Sequence, residues 1–261
     1  MDKREKDCCS RPGKLLVCAP TQPTAMKTSR QSAFTLIEML VVISIIAILA
    51  AFAVPALTSA LTKGQLTGTM NNARQLYLAG YQMALDGSTN SDPTLSWPGD
   101  DATLTTMSAY MSRLVANNYL KPGDVSKLLS GPGASVTATA QTSGNQTTVT
   151  LAAVQPNTKG ALKVYRVQDV DPANVIFCVS SNYDYNKTLP GSYASVPYGT
   201  KGFVVQRKGG DASVLHDNQA TSANYTPGPQ AWMTLVGLPT GSGNATQPPA
   251  SEPSGSVLTF P

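Results

Sequence analysis

Apolar positions are contiguous near one end of this chain and periodic through most of the rest. From Met39 to Leu57, nineteen residues pass without a charge. As helix they span roughly 28 Å at ~1.5 Å per residue, close to the thickness of a bilayer core. The run is longer than the apolar stretch of a secretory signal. Beyond Leu57 the pattern thins to a stripe. Leu66, Met70, Ala73, Tyr77 and Ala84 recur at three- and four-residue spacing among Lys63, Gln65, Asn71, Arg74 and Gln82. That spacing predicts an amphipathic continuation of the helix to about residue 85, roughly 75 Å in all at ~1.5 Å per residue. Gly64, Gly68 and Gly80 lower its helix propensity and predict a flexible middle.

After a turn-rich stretch through Asp92 and Pro93, a second helix is expected over 104–118, with Leu104, Met107, Met111, Leu114 and Val115 on one face. Pro122-Gly123 stops it, and 125–129 adds a further turn. From Ala134 the period changes to two. The segments 135–141 and 147–154 read as Thr/Val/Ala strands joined by a hairpin at Thr142-Ser143-Gly144-Asn145. Shorter strands are expected at 162–167, 175–179, 202–206 and 213–215. Short strands linked by turns imply an antiparallel sheet, which would cover one face of the long helix. Residues 239–261 are rich in Gly, Pro and Ser and read as a flexible tail. The fold class is therefore α+β.

Charge and cysteine divide at the same place. The chain carries 19 Lys or Arg against 15 Asp or Glu. Residues 1–33 hold seven of the bases and three of the acids, which leaves twelve of each sign in 34–261. The basic excess thus precedes the apolar run, as a positive-inside topology signal does. The remainder gives no net-charge argument for nucleic acid. Cys8, Cys9 and Cys18 also lie before the run, so loss of 1–33 would leave Cys178 without an intrachain partner. Its setting in Val175-Ile176-Phe177-Cys178-Val179 predicts burial.

Catalytic constellations are scarce. With one histidine, His216, no multi-histidine zinc site can be built, and HExxH is absent. GxSxG is absent as well, and His216 reads as a surface-loop residue. No P-loop and no GxGxxG follow a strand. Tyr183, Tyr185, Tyr193 and Tyr198 lie in one turn-rich stretch and are read as packed beneath a long loop rather than as a binding surface. The acids Asp100, Asp101, Asp169 and Asp171 are read as solvated loop residues.

The most informative single residue is Glu38. A carboxylate near the start of a membrane-length apolar run must be paired or neutralised, at several kcal/mol otherwise. Around it the sequence runs Ser32-Ala33-Phe34-Thr35-Leu36-Ile37-Glu38, with Pro55 further along the same run. Thr35 is placed to help cap the helix start. This segment resembles the N-terminus of the type IV pilin superfamily, which includes the pseudopilins of type II secretion systems. The resemblance covers about 25 residues. It implies that a prepilin peptidase cleaves between Ala33 and Phe34 and methylates the new amine to give N-methylphenylalanine. It also implies that Glu38, fifth from the cut, meets the terminal amine of a neighbouring subunit during filament assembly. One departure is Ala33, where the family has glycine. Pro55 has two readings, a kink in the filament core or a marker of membrane exit.

The same resemblance divides the chain into a leader at 1–33, with Met26 as a possible true start. A transmembrane half of the helix follows at 34–57, then an amphipathic half at 58–86, a globular α+β head at 87–238 and a tail at 239–261. The fold it implies is pilin-like, a long N-terminal helix packed on a small antiparallel sheet. The function it implies is that of a structural subunit, pseudopilin or minor pilin, and not of an enzyme. Its partners would be the prepilin peptidase, other pilin or pseudopilin subunits, and an inner-membrane assembly platform with a separate ATPase. Location would be the cytoplasmic membrane, single-pass, with the head on the periplasmic or extracellular side, and then the filament. No cofactor is expected. Asp211 and Asp217, which flank the last strand, are weak calcium candidates by likeness to some pseudopilins, although their spacing fits no EF-hand and solvated loop acids is the plainer reading. The rival reading is an exported binding domain merely tethered by residues 34–57, which does not assemble.

Overall fold

The computed structural model describes residues 34–144, 146–154, 159–190, 198–242 and 245–260. The leader, with Met26 and Ala33, and Tyr193 lie outside the described residues. The chain divides into a unit of residues 1–50 and a unit of residues 51–261.

In the first unit the described structure is the start of helix α1 (Leu36–Asn90). Every large apolar side chain from Phe34 to Leu49 is 46–82% exposed. A soluble domain does not leave such a face bare, so this segment is built to meet lipid or other helices.

In the second unit α1 changes role. It passes through Pro55, and its inward face buries Leu66, Thr69, Ala73, Leu76, Tyr77, Ala79, Gly80, Met83 and Gly87. The helix runs five residues beyond the expected end. Gly80 is not the flexible point that propensity suggests: a Cβ there would lie 2.2 Å from the Tyr110 hydroxyl. A side chain there would have to displace that buried hydroxyl, so glycine favours the close approach of α2 (Met107–Ala116). Leu76 and Met83 are fully buried, each contributing about 1.5–3 kcal/mol.

Helix α2 starts three residues later than expected because Thr106 takes the N-cap, its hydroxyl accepting from the Ala109 amide at 3.2 Å. Leu104 is buried from the preceding loop instead. Helix α3 (Pro122–Leu129) begins at the proline read as a stop, since proline is also suited to the first helical turn. The hairpin forms as expected from strands β1 (Val136–Ser143) and β2 (Gln146–Ala153), in register from Val136↔Ala153 to Ser143↔Gln146. Two helix serines fasten it. Ser112 Oγ accepts from the Val149 amide at 2.7 Å, and Ser126 Oγ accepts from the Ala138 amide at 2.9 Å.

A second sheet is an antiparallel meander, β3 (Leu162–Val164), β4 (Ile176–Ser180), β5 (Phe203–Arg207) and β6 (Ala212–Leu215), in that order. Strands β4 and β5 are buried along their whole length. The amphipathic part of α1 packs on this sheet, with Tyr77 edge-on to Phe177 at 5.6 Å and its hydroxyl donating to the Lys208 carbonyl at 2.7 Å. Cys178 is buried as expected, and burial pushes its thiol far above the usual range. Tyr183, Tyr185 and Tyr198 are also buried.

Two parts of the second unit depart from expectation. Helix α4 (Pro229–Val236) buries Trp232, Met233 and Val236. Gly237 ends it at φ +102°, and a Cβ there would lie 2.6 Å from the Asn174 carbonyl, so this position demands glycine. The other departure corrects the expected flexible tail. The Arg166 amide donates to the Ser256 carbonyl at 2.7 Å, Leu258 to Val164 at 2.9 Å, and Met107 to Thr259 at 2.9 Å. Leu258 is 3% exposed. The segment covers the free edge of β3, and Glu252 pins it by accepting from Lys163 Nζ and from Tyr165 Oη, each at 2.5 Å. Composition pointed to disorder, but unpaired backbone along an edge strand is a liability that this segment removes.

The acids are similarly specific. Asp171 is buried, accepting from the Gln168 amide at 2.8 Å and from the Thr240 hydroxyl at 2.6 Å, so it is not a solvated loop residue. Asp101 accepts from the Thr103 hydroxyl at 2.6 Å and amide at 2.8 Å, and from Arg113 at 2.6 Å. The Thr103 hydroxyl, then Arg113, hold its carboxyl down at about 2. A depressed native pKa contributes stability above the unfolded value of about 4, which is lost as pH falls towards 2. Melting temperatures measured across that window are expected to fall less steeply for Asp101→Asn than for the parent chain.

Candidate functional site

The start of α1 holds the best-defined chemistry in the first unit. Thr35 precedes the helix and Glu38 lies in its first turn. Glu38 Oε2 accepts from the Thr35 amide and from the Thr35 hydroxyl, both at 2.8 Å, while the Glu38 amide donates to Thr35 Oγ1 at 3.3 Å. This is a reciprocal capping box. The carboxylate is therefore held by Thr35, and negative charge at this end also complements the helix dipole. Among the described residues Oε1 has no hydrogen-bond partner. The spacing Thr35-Leu36-Ile37-Glu38 is a T-x-x-E signature, so the cap was legible in the sequence, although only half of it was anticipated.

Around it, Phe34, Ile37, Val41 and Val42 line a shallow groove of about 420 Å³ in which Glu38 is the one charged lining residue. Phe34 is 74% exposed. A carboxylate at the head of an exposed apolar groove can receive a cationic donor. Such a donor would replace water at the one oxygen that Thr35 does not occupy, and a charge-assisted bond there is roughly twice as strong as a neutral one.

Pro55 lies inside α1 in the second unit, with no break in the helix. It has no N–H to give the carbonyl of Ala51, while its own carbonyl accepts from the Thr58 hydroxyl at 2.9 Å. The helix therefore already carries a missing bond at the point where a kink was considered.

The calcium candidates are not brought together as a ligand set. Asp211 pairs with Arg207, and Asp217 sits in the short helical turn after His216. Among the described residues no group of three His, Cys, Asp or Glu side chains is placed to hold a metal ion. His216 is exposed.

Sequence reading missed one cavity. Tyr81, Trp97, Leu85 and Leu95 form the apolar part of a space of about 490 Å³, rimmed by Asp92, Asp100 and Asp169. Burial raises the Asp100 carboxyl, partly offset by the Asp169 amide, which donates to both of its oxygens at 3.1 Å. Residues on α1 and on two separate loops meet here, so no local spacing could have joined them.

Comparison with known proteins bears on the same segment. Residues 28–54 match the prokaryotic N-terminal methylation motif. A type IV major fimbrial protein, FimA, of Dichelobacter nodosus is 34% identical over 73 residues, which is 28% of this chain and 47% of that protein. A second FimA from the same organism is 36% identical over 69 residues, 26% of this chain and 44% of the relative. The matches thus span less than half the length of these curated relatives. No solved structure matches the chain significantly.

Proposed function

We propose that this chain, which carries the N-terminal methylation motif of the type IV pilin superfamily, is a structural subunit of a membrane-assembled filament. The observation that carries the reading is Glu38: a carboxylate held by Thr35 at the start of an exposed apolar stretch of helix. Cleavage between Ala33 and Phe34 by a prepilin peptidase would create an amine at Phe34, and the free oxygen of Glu38 would receive that amine from the next subunit. Two apolar helices then bury each other's exposed faces while the charge pair fixes their stagger. A buried pair of this kind serves register more than raw stability.

Within that reading the chain acts as a pseudopilin or minor pilin rather than an enzyme. Before assembly it is a single-pass protein of the cytoplasmic membrane with residues 58–261 on the far side. Other subunits, an assembly platform and a separate ATPase are its partners. Similarity to major fimbrial proteins supports the pilin class, and the size and Gly- and Ser-rich composition of the head support the minor or pseudopilin assignment within it.

The test is the mature N-terminus. Coexpression with a prepilin peptidase, followed by mass spectrometry, is expected to give a chain beginning at Phe34 with one added methyl group. A mature chain starting after the apolar run, or an uncut leader in the presence of an active peptidase, would sink the reading. Substituting Ala33→Gly is expected to speed the cut, because it restores the residue that the resembled family carries before the cleaved bond.

A further inference from the structure

The first turns of α1 beyond the apolar run contain a pocket that the assembly reading does not use. It has a volume of about 540 Å³, and its polar lining is Ser59, Thr62, Lys63 and Thr67 from α1 with Lys201 and His216 from the sheet region. Three of these groups are basic and none is a carboxylate, although the stretch from 34 to 261 as a whole is balanced at twelve charges of each sign. Neither Lys63 nor Lys201 has an ion-pair partner among the described residues, whereas Lys127, Lys163, Arg113 and Arg207 do.

The donors available can be counted. The hydroxyls of Thr62 and Thr67 donate to the Thr58 and Lys63 carbonyls, each at 3.0 Å, so their protons are spent. The Gln219 amide donates to the His216 carbonyl at 3.0 Å, and the His216 imidazole lines the pocket. Two ammonium groups, the imidazole and the Ser59 hydroxyl remain. That donor set suits an anionic oxygen cluster.

Position selects the anion. Counted from Leu57, the end of the apolar run, Ser59 lies two positions on and Thr67 ten, which is about 3 to 15 Å along the helix at ~1.5 Å per residue. The headgroup layer occupies roughly the first 5–8 Å beyond the hydrocarbon core, and lysine side chains reach back towards it. Leu66, 3% exposed, supplies an apolar floor. We infer that Lys63, Lys201 and His216 form a binding site for the phosphate of an anionic phospholipid in the leaflet that α1 leaves towards the head. This rests on the membrane-inserted reading above. The site would hold each unassembled subunit upright, and would have to release its lipid when the subunit enters a filament.

His216 is the chain's only histidine and reports on the site directly. The full chain is placed in nanodiscs of phosphatidylcholine alone or of equimolar phosphatidylcholine and phosphatidylglycerol, and its imidazole resonances are recorded. They are expected to move only with phosphatidylglycerol. Lys63→Ala with Lys201→Ala should weaken phosphatidylglycerol binding about 25-fold, at roughly fivefold per lysine near an anionic surface. Lys121→Ala with Lys187→Ala, which removes equal charge elsewhere, should not. Equal weakening by both pairs, or unmoved His216 signals in a chain that resists alkaline extraction, overturns the site and leaves the membrane reading standing. Equal shifts with inorganic phosphate in phosphatidylcholine discs make it a free-anion site and overturn the lipid assignment. A chain that alkaline buffer extracts from the membrane overturns both.

Discussion

Glu38→Ala is expected to abolish incorporation into filaments while leaving removal of the leader intact. In the proposed assembly the substitution deletes the acceptor for the neighbouring subunit's amine, and an ammonium left unpaired among apolar helices costs about 3–5 kcal/mol. At 1.4 kcal/mol per factor of ten, incorporation should drop by two to three powers of ten. Glu38→Gln should fall nearly as far, because an amide keeps the shape but not the charge. Thr35→Ala separates the two roles of the carboxylate. It removes the hydroxyl that bonds Glu38 Oε2 and loosens the helix start by about 1 kcal/mol, yet leaves the charge, so most assembly should survive. The readout is the ratio of sheared filament to membrane-bound subunit by immunoblot, with the mature N-terminus checked in each variant. If Glu38→Ala assembles as the parent does, the apolar run is a tether and the filament reading fails.

The sequence made Glu38 visible because its signal is local. A charge in an apolar run is anomalous whatever the tertiary structure, and a T-x-x-E spacing closes its own hydrogen bonds within one helical turn. The β1–β2 hairpin was legible for the same reason: alternation and turn residues lie next to each other. What escaped was long-range. Thr69 and Gly80 are buried on α1 although neither is a large apolar residue. Gly80 is fixed by a tyrosine thirty positions away, which no helix-propensity scale weighs. The segment around 256–259 follows a Gly-, Pro- and Ser-rich stretch, but Leu258 finds a buried seat and the backbone finds the open edge of β3. The Lys63, Lys201 and His216 pocket likewise exists only once α1 and the β6 end are brought together. Helix α4 is a different case. Pro229 and Gly237 bracket Trp232, Met233 and Val236 in the pattern of proline at the start and glycine just past the end, so its signal was present in a stretch to which no element was assigned.

That missed helix carries the largest stability effect expected of any single side chain in the second unit. Trp232 is fully buried, meets Tyr185 edge-on at 5.3 Å, and donates from Nε1 to the Gln219 carbonyl at 2.7 Å. Tyr185 in turn donates to the Gly237 carbonyl at 3.1 Å, so one cluster ties α4, its C-terminal turn and the loop after β4. Trp232→Ala loses transfer energy, leaves a cavity and orphans an acceptor, for about 3–5 kcal/mol. Against the 5–15 kcal/mol typical of a folded domain, that is about a fifth of the total or more. With an m-value of about 2 kcal/mol per molar urea, the midpoint should fall by roughly 2 M. Trp97 is the only other tryptophan and serves as the fluorescent reporter in the variant. Trp232→Phe keeps most of the packing and loses the N–H donor, so it should cost about 1–3 kcal/mol. If Trp232→Ala instead shifts the midpoint no more than Trp232→Phe does, the α4 cluster contributes a hydrogen bond but little packing, and the head is held mainly by α1 and the β4–β5 core.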